Sequence, residues 1–328
     1  MLFKQSKNSF IRSTEKYGYV TNQLTKFDRV YNSTGAEFLR MISREPRSIE
    51  DVVEHLLTIF EGVTKEELTQ DFLEFITDLS THKFVIIGET VEELEEKDLD
   101  FSYAHNNPKT LTNNYYQETE QQVSMSTQDY FLEEVQGSPK ISSLQFELSS
   151  RCNERCIHCY IPNEKKNHGF DMPTDKVKSI LDEFATMGGL HVTLSGGEAF
   201  MHKDLLEIVM YCREKDLSIS ILSNLISLKD DDIPVLKEAN VSLVQTSLYA
   251  VEPEIHDAIT TVPGSCEKTK AAIDKLVAAD IPVQISCPVM KTNKDAYINV
   301  LKYARERQIK AQTDYIMMAR ADFSTDNL

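Results

Sequence analysis

The 328-residue chain has no apolar run approaching the roughly 18–20 residues that a membrane-spanning helix needs. Its opening, MLFKQSKNSF, lacks the long apolar stretch of a signal peptide. Both absences argue against a membrane partner and lead us to expect a cytoplasmic protein. Cysteine is scarce as well: six residues are too few for a disulfide scaffold. Basic residues are outnumbered, with 35 Lys+Arg against 52 Asp+Glu, a net charge of −17 and no Lys/Arg-rich patch. A binder that works by neutralising phosphates needs the opposite balance, so no nucleic-acid partner is expected. What is present is ordinary for a soluble protein, 41% hydrophobic and 27% charged, over a length that suits two domains.

The first part of the chain reads as a small α+β domain over residues 1–88. Ser9–Ser13, Tyr17–Asn22 and Phe27–Tyr31 suit strands, and three helices follow. Thr34 with Glu37 resembles a capping box and opens the first helix through Leu39 and Ile42. Ser48 starts the second, with Ile49, Val52, Val53, Leu56, Leu57 and Phe60 at helical spacing. Thr64 with Glu67 repeats the capping signature ahead of Leu68, Phe72, Phe75, Ile76 and Leu79. Three strands then three helices is a winged-helix-like plan. Residues 89–140 begin with the acidic stretch VEELEEKDLD and turn rich in Asn, Gln, Thr and Ser. So little apolar surface implies a linker, with room for one helix of its own.

From residue 141 the pattern changes to alternating strands and helices. Leu144–Ser149, His191–Ser195, Ser218–Ser223, Ser242–Ser247, Val283–Met290 and Lys310–Met317 suit strands, between helical stretches such as Asp175–Met187 and Lys203–Lys215. Such alternation implies a parallel sheet with right-handed crossovers. Six units fall short of a closed eight-stranded barrel, so residues 141–328 are expected to form an α/β, partial (β/α)6 TIM-like barrel.

Three of the six cysteines crowd into RCNERCIHCY, where Cys152, Cys156 and Cys159 make a C-x3-C-x2-C array just after the first barrel strand. Thiolates are soft ligands for iron–sulfur clusters or zinc. Three of them can hold three irons of a cubane and leave the fourth open. The alternative is a zinc site completed by His158 or His168, although no second C-x2-C knuckle exists here. Cys212, Cys266 and Cys287 are widely spaced and read as packing residues. The second strand runs into Ser195-Gly196-Gly197-Glu198, where two glycines allow close approach to the backbone and a carboxylate can accept from an ammonium group. The third strand ends at Ser223-Asn224 and the fourth at Ser247, polar groups suited to ribose hydroxyls. Four successive strands thus deliver polar or metal-binding groups at their C-terminal ends, the face where parallel barrels build their sites.

CNERCIHCY, SGGE, VQTSL and HDAITTVPGSCEKT together resemble the radical S-adenosylmethionine (SAM) superfamily, and within it the enzymes that modify ribosomally made peptides. The resemblance implies one [4Fe–4S] cluster on Cys152, Cys156 and Cys159, whose open iron chelates SAM. Reductive cleavage would then yield a 5′-deoxyadenosyl radical that takes hydrogen from substrate. It also implies that Gly196, Gly197 and Glu198 receive the methionyl amine, that Ser223, Asn224 and Ser247 contact ribose or carboxylate, and that Tyr160 lies near adenine. Two departures stand out. Leu225 replaces a glycine often found after that Asn, and Thr260 or Thr261 stands where relatives often place an arginine. No cysteine follows Cys287, so no C-terminal auxiliary-cluster domain is expected in this chain.

The first domain resembles the PqqD-like peptide-recognition domain fused to such maturases, which binds a leader peptide as an added strand. The implied partners are a precursor peptide and an electron donor such as flavodoxin or ferredoxin. The implied product is a modification such as a thioether or a carbon–carbon cross-link. Two other readings stay open: a radical SAM enzyme acting on a small molecule or activating another enzyme, and a metal-containing regulator that binds DNA.

Overall fold

The computed structural model describes residues 1–104, 141–163, 166 and 169–314. The expected linker from 105 to 140, His168 and the end of the sixth barrel strand beyond Asp314 lie outside the described residues. The chain forms two compact units, the first built on Met1–Phe101 and the second on residues from Ser142 onward.

In the first unit the three expected strands, β2 (Ser9–Ser13), β3 (Gly18–Asn22) and β4 (Phe27–Tyr31), pair as an antiparallel meander in the order β2-β3-β4. Helices α1 (Ser33–Arg40), α2 (Ile49–Leu56) and α3 (Lys65–Thr81) follow. Ser48 caps α2, and Thr64 with Glu67 closes a complete capping box on α3. The cap of α1 is Asn32 instead of Thr34: its side-chain oxygen accepts from Gly35 N, a role asparagine fills at least as well. The sequence pattern gives no sign of a second antiparallel sheet, β5-β1-β6, made by β1 (Leu2–Gln5), β5 (Arg47–Ser48) and β6 (Val85–Gly88). These strands are two to four residues long, too short to show alternation. The acidic stretch of the expected linker opens as α4 (Val91–Lys97), which buries Leu94 fully. Lys4 explains why: its ammonium lies 2.6 Å from Glu95 and 3.2 Å from the buried Asp98, tying α4 to β1.

The core of this unit is aromatic. Phe72 of α3 meets Phe3 and Phe38 edge-to-face, at centroid distances of 5.5 and 5.3 Å. At the margin α3 grips the edge strand: Asp78 accepts from Arg29 at 2.6 Å and from the Tyr31 hydroxyl at 3.2 Å, and Phe27 stacks on His82.

The second unit holds a six-stranded sheet whose spatial order follows the chain: β7 (Ser143–Glu147), β8 (His191–Ser195), β9 (Ser218–Ser223), β10 (Leu243–Ser247), β11 (Val283–Pro288) and β12 (Lys310–Asp314). All five pairings are parallel, as a partial barrel requires. One face carries Val192, Leu194, Ile219, Ile221, Val244 and Ile285. It packs on α5 (Thr174–Thr186), α6 (Leu205–Glu214), α7 (Asp232–Glu238), α9 (Ser265–Ala278) and α10 (Tyr297–Glu306); α8 (Pro253–Thr260) lies nearer the rim. The alternate positions are mostly polar, with Leu222 and Leu243 among them. Gln145 pairs in register with Thr193 and Thr193 with Ser220, Gln245 pairs with Gln284, and Gln284 donates to Gln312 at 3.1 Å. Among the described residues no helix is long and apolar enough to cross a membrane.

Candidate active site

The array of cysteines lies on the loop that leaves β7, and its backbone is held by two neighbours. The first is the C-terminus of α8, where helical carbonyls lack intrahelical partners. Arg155 N donates to Thr260 O at 3.0 Å and Ile157 N to Ile259 O at 2.9 Å, so the loop takes up two orphan acceptors. Thr260 and Thr261 therefore brace the loop. Thr260 is buried with its hydroxyl on Ser265, and the Thr261 hydroxyl donates to Arg155 O.

The second neighbour is the Ser195–Glu198 segment after β8. Gly197 N donates to Ser149 O at 2.6 Å and Glu198 N to Arg151 O at 2.9 Å. A Cβ on Gly196 or Gly197 would stand 2.3 Å from Ser149 O or Arg151 O respectively, and Gly196 has a φ of +150°. The glycines are thus required by the chain itself, because the cysteine loop runs against them. Arg151 adds a clamp, reaching Asp171 in a fork at 3.0 and 2.5 Å and Met201 O at 2.6 Å.

Glu198 is 1% exposed, and both of its oxygens are engaged: one accepts from Ser223 Oγ at 2.6 Å and Phe200 N at 3.0 Å, the other from Asn224 N at 2.7 Å. Burial raises its pKa, and the three donors oppose that rise. Glu198 therefore ties the end of β8 to the end of β9. Asn224 continues the chain of contacts, donating to Asn153 Oδ1 at 2.7 Å beside Cys152, while Asn153 donates to Ser227 Oγ. Leu225 has a φ of 65° and is buried, so the departure from glycine places a large apolar residue in the left-handed region. Ser247 ends β10. Tyr160 is 57% exposed and its hydroxyl donates to Glu147 at the end of β7.

The structure thus joins Cys152, Gly196, Gly197, Glu198, Ser223 and Asn224 in one hydrogen-bonded and packed assembly, and leaves Tyr160 on its rim. Sequence reasoning passed over Asn153, Arg151 and Glu154. Glu154 is buried, with one oxygen 3.3 Å from Cys156 Sγ, and burial lifts its carboxyl to about 7. A charged residue inside a cysteine array is the one signal that pointed to it.

The donor set suits an iron–sulfur cubane. All three thiols are free and partly buried on one loop. Burial pushes Cys152 up to about 11 and raises Cys156 further, so both must lose a proton when they ligate. Among the described residues no three His, Cys, Asp or Glu side chains converge on a single ion. In a cubane each thiolate takes a different iron, so three cysteines suffice, whereas a mononuclear zinc site would need a fourth ligand beside them.

Comparison with known proteins agrees with this geometry. The pattern of the radical SAM superfamily matches residues 146–304, and that of PqqD, the coenzyme PQQ synthesis protein D, matches residues 29–85. The chain is 31% identical to an AdoMet-dependent heme synthase of Methanosarcina barkeri over 163 residues, 50% of this chain and 47% of that protein. It is 28% identical to a PqqA peptide cyclase of Methylocella silvestris over 158 residues, 48% of this chain and 42% of that protein. The chain therefore spans less than half the length of either relative. In fold it resembles Streptococcus suis SuiB bound to S-adenosylmethionine, with a TM-score of 0.59 at 15% identity over 97% of this chain and 65% of SuiB. SuiB bound to its precursor peptide SuiA gives a TM-score of 0.57 at 14% identity over 95% of this chain and 62% of SuiB. With the cysteine loop, the strand-end polar groups and both family patterns in agreement, the chain belongs to the radical SAM superfamily of enzymes and carries a PqqD-like domain at its N-terminal side.

Proposed function

We propose that the chain is a peptide maturase, in which residues 1–88 capture the leader of a ribosomally made precursor and the barrel of residues 141–328 modifies its core. One observation carries the reading: the PqqD-like match spans β4 to the start of β6, and β4 is the outer strand of its sheet with α3 beside it. An extended peptide added to that edge gains main-chain hydrogen bonds, and the margin of α3 selects its side chains. The likeness in fold to SuiB and the sequence match to a PqqA peptide cyclase support the same reading.

In this reading Cys152, Cys156 and Cys159 hold a [4Fe–4S] cluster. When bound, the cluster supplies the electron, drawn from a flavodoxin or ferredoxin in the reducing cytoplasm, that splits SAM into methionine and a 5′-deoxyadenosyl radical. The chain does the rest. The segment Gly196–Glu198 lines the methionyl end of SAM, and Glu198 fixes Ser223 and Asn224 toward its ribose or carboxylate. Ser247 completes the rim, Tyr160 flanks the adenine, and the half-buried loop shields the radical from part of the solvent. Hydrogen abstraction would give 5′-deoxyadenosine and a carbon-centred peptide radical, and closing a thioether or a carbon–carbon link from it would release one further proton and one electron, the electron returning to the flavodoxin or ferredoxin.

The match to a heme synthase favours a second reading, a small-molecule substrate such as a tetrapyrrole. The open face of the barrel sheet speaks for the peptide. Gln145, Thr193, Gln245, Gln284 and Gln312 offer neutral donors and acceptors that suit amides. The test is titration of a labelled candidate precursor, any short peptide found to be encoded next to the gene, against the full chain and against single proline variants at Arg29 and Val30 in β4. Consecutive amides of an edge strand point to opposite sides, so one proline should abolish peptide affinity while the other weakens the pairing with β3, each also losing the contacts of the Arg29 or Val30 side chain. Peptide affinity that survives both, or deoxyadenosine formation indifferent to peptide but stimulated by a porphyrin, would move the assignment to the second reading.

A further inference from the structure

Beyond the residues already assigned, the asparagine that follows Cys152 has both ends of its amide held. The chain of bonds starts after β9. Leu225, at a φ of 65°, turns the backbone so that Ile226 N donates to Asn224 Oδ1 at 3.1 Å. A backbone N–H can only donate, so the Asn224 amide is oriented with Oδ1 toward Ile226. Its Nδ2 then donates to Asn153 Oδ1 at 2.7 Å, and Asn153 Nδ2 donates to Ser227 Oγ at 2.7 Å. The backbone of Asn224 is pinned as well. Its N–H donates to Glu198 Oε2 at 2.7 Å, and its carbonyl accepts from Thr269 Oγ1 at 3.0 Å.

A side-chain amide carries two N–H donors and two acceptor lone pairs. Ile226 takes one lone pair of Asn224 and Asn153 takes one N–H, so one of each is left. Nδ2 stands 4.0 Å from Cys152 Sγ, at the outer limit of an N–H···S contact, and the residue is half-buried. The remaining groups therefore sit beside the cysteine loop with part of their surface open. We infer that Asn153 is a positioning residue for SAM: it holds Asn224 in the rotamer that meets the ribose or carboxylate, and Ser227 holds Asn153 in turn. This rests on the reading that Asn224 contacts SAM. A side chain already fixed in its bound rotamer loses no further freedom when the ligand arrives, so the benefit appears as SAM affinity.

The experiment uses the full chain, reconstituted anaerobically, as wild type, Asn153→Leu, Asn153→Asp, Ser227→Ala, Asn224→Leu and the double variant Asn153→Leu with Asn224→Leu. Iron and sulfide per chain are measured first, then SAM affinity by equilibrium binding. Asn153→Leu should keep its iron and sulfide while SAM affinity falls roughly three- to tenfold, the usual worth of one neutral hydrogen bond. Asn153→Asp keeps the acceptor that Asn224 needs, and the Ser227 hydroxyl can turn to donate to it, so affinity should recover. Ser227→Ala should weaken SAM by less than Asn153→Leu. The double variant should bind SAM no more weakly than Asn224→Leu alone, whereas a residue acting independently would add its own loss. Wild-type affinity in Asn153→Leu at full iron content, no recovery in Asn153→Asp, or additive losses in the double variant would overturn the inference. If either Asn153 variant fails to load iron, Ser227→Ala decides: wild-type affinity there overturns the inference equally. Wild-type affinity in Asn224→Leu would instead defeat the reading of Asn224 as a SAM contact, and a wild-type chain without iron and sulfide the cluster reading, each taking the inference with it.

Discussion

In the first unit, β4 has β3 as its one hydrogen-bonded neighbour among the described residues, and what it presents for recognition is main chain. In the second unit every inner strand is paired on both sides, and what is presented is the side chains of the loops that leave the strand ends. The difference has a physical root. An antiparallel edge leaves amides and carbonyls free whatever the residues are, whereas a parallel sheet aligns all its C-terminal ends, so loop chemistry converges there. Recognition by backbone tolerates a weak sequence signature. Chemistry by side chain does not.

Substitutions can separate the two. The largest effect is expected at the cysteines: Ala at Cys152, Cys156 or Cys159 should abolish assembly of the cluster, about four irons per chain. Ala at the buried Cys212, Cys266 or Cys287 should leave iron and sulfide unchanged. Retention of iron in the triple variant of the first set, measured after anaerobic reconstitution, would remove the metal assignment altogether.

Next comes Phe72→Ala, which empties the centre of the aromatic core in the first unit. Such truncations cost about 3–5 kcal/mol. Peptide binding should collapse with the unit, while the iron content of the second unit stays at its wild-type value. Loss of both together, read by calorimetry and iron analysis, would mean that the units do not divide the labour as described.

Glu198→Gln should act only on the second unit. The neutral amide keeps the shape but must turn its NH2 toward at least one of three donors. In the proposed reading the SAM ammonium also loses a charge-assisted bond, worth roughly 1.5–3 kcal/mol, so SAM affinity should fall about tenfold or more at normal iron content. Equilibrium binding of SAM is the measurement, and an unchanged affinity would leave Glu198 as a tie between strands alone.

A further effect, of similar size, is a pH dependence. Burial lowers the pKa of His256 from 6.5 to about 4, so the imidazole that accepts from Tyr249 N is neutral when folded. As pH falls below 6.5 the unfolded chain takes up a proton that the folded chain refuses until about pH 4, and stability drops across that window. A tenfold change in proton affinity is worth ~1.4 kcal/mol, so the loss is roughly 2–3 kcal/mol. Denaturant midpoints between pH 7 and 4 should show it, and His256→Asn, which keeps an acceptor, should flatten the curve.

The comparison also explains what could be read in advance. Asn32 displaced Thr34 as the cap of α1, yet Ser48 and Thr64 held their places, because capping is decided within one turn of chain. The strands of the barrel were legible from their apolar alternation and the helices between them. The short strands β1, β5 and β6 were not, because a strand of two to four residues exists by virtue of its partners.

The cysteine spacing, the glycine pair, the carboxylate beside it and the order of strands that brings them to one end of a sheet are all legible in the order of residues. Each of these is a local pattern, and parallel topology does the rest. Tertiary structure alone decided what those residues touch. It set the cysteine loop against Gly196 and Gly197, closed both oxygens of Glu198 on β9, lent the loop two carbonyls of α8, and brought Tyr249 to His158 across 91 positions of chain. Such partners are far apart in sequence and meet only when packing and unsatisfied backbone groups are resolved together, so no periodicity announces them.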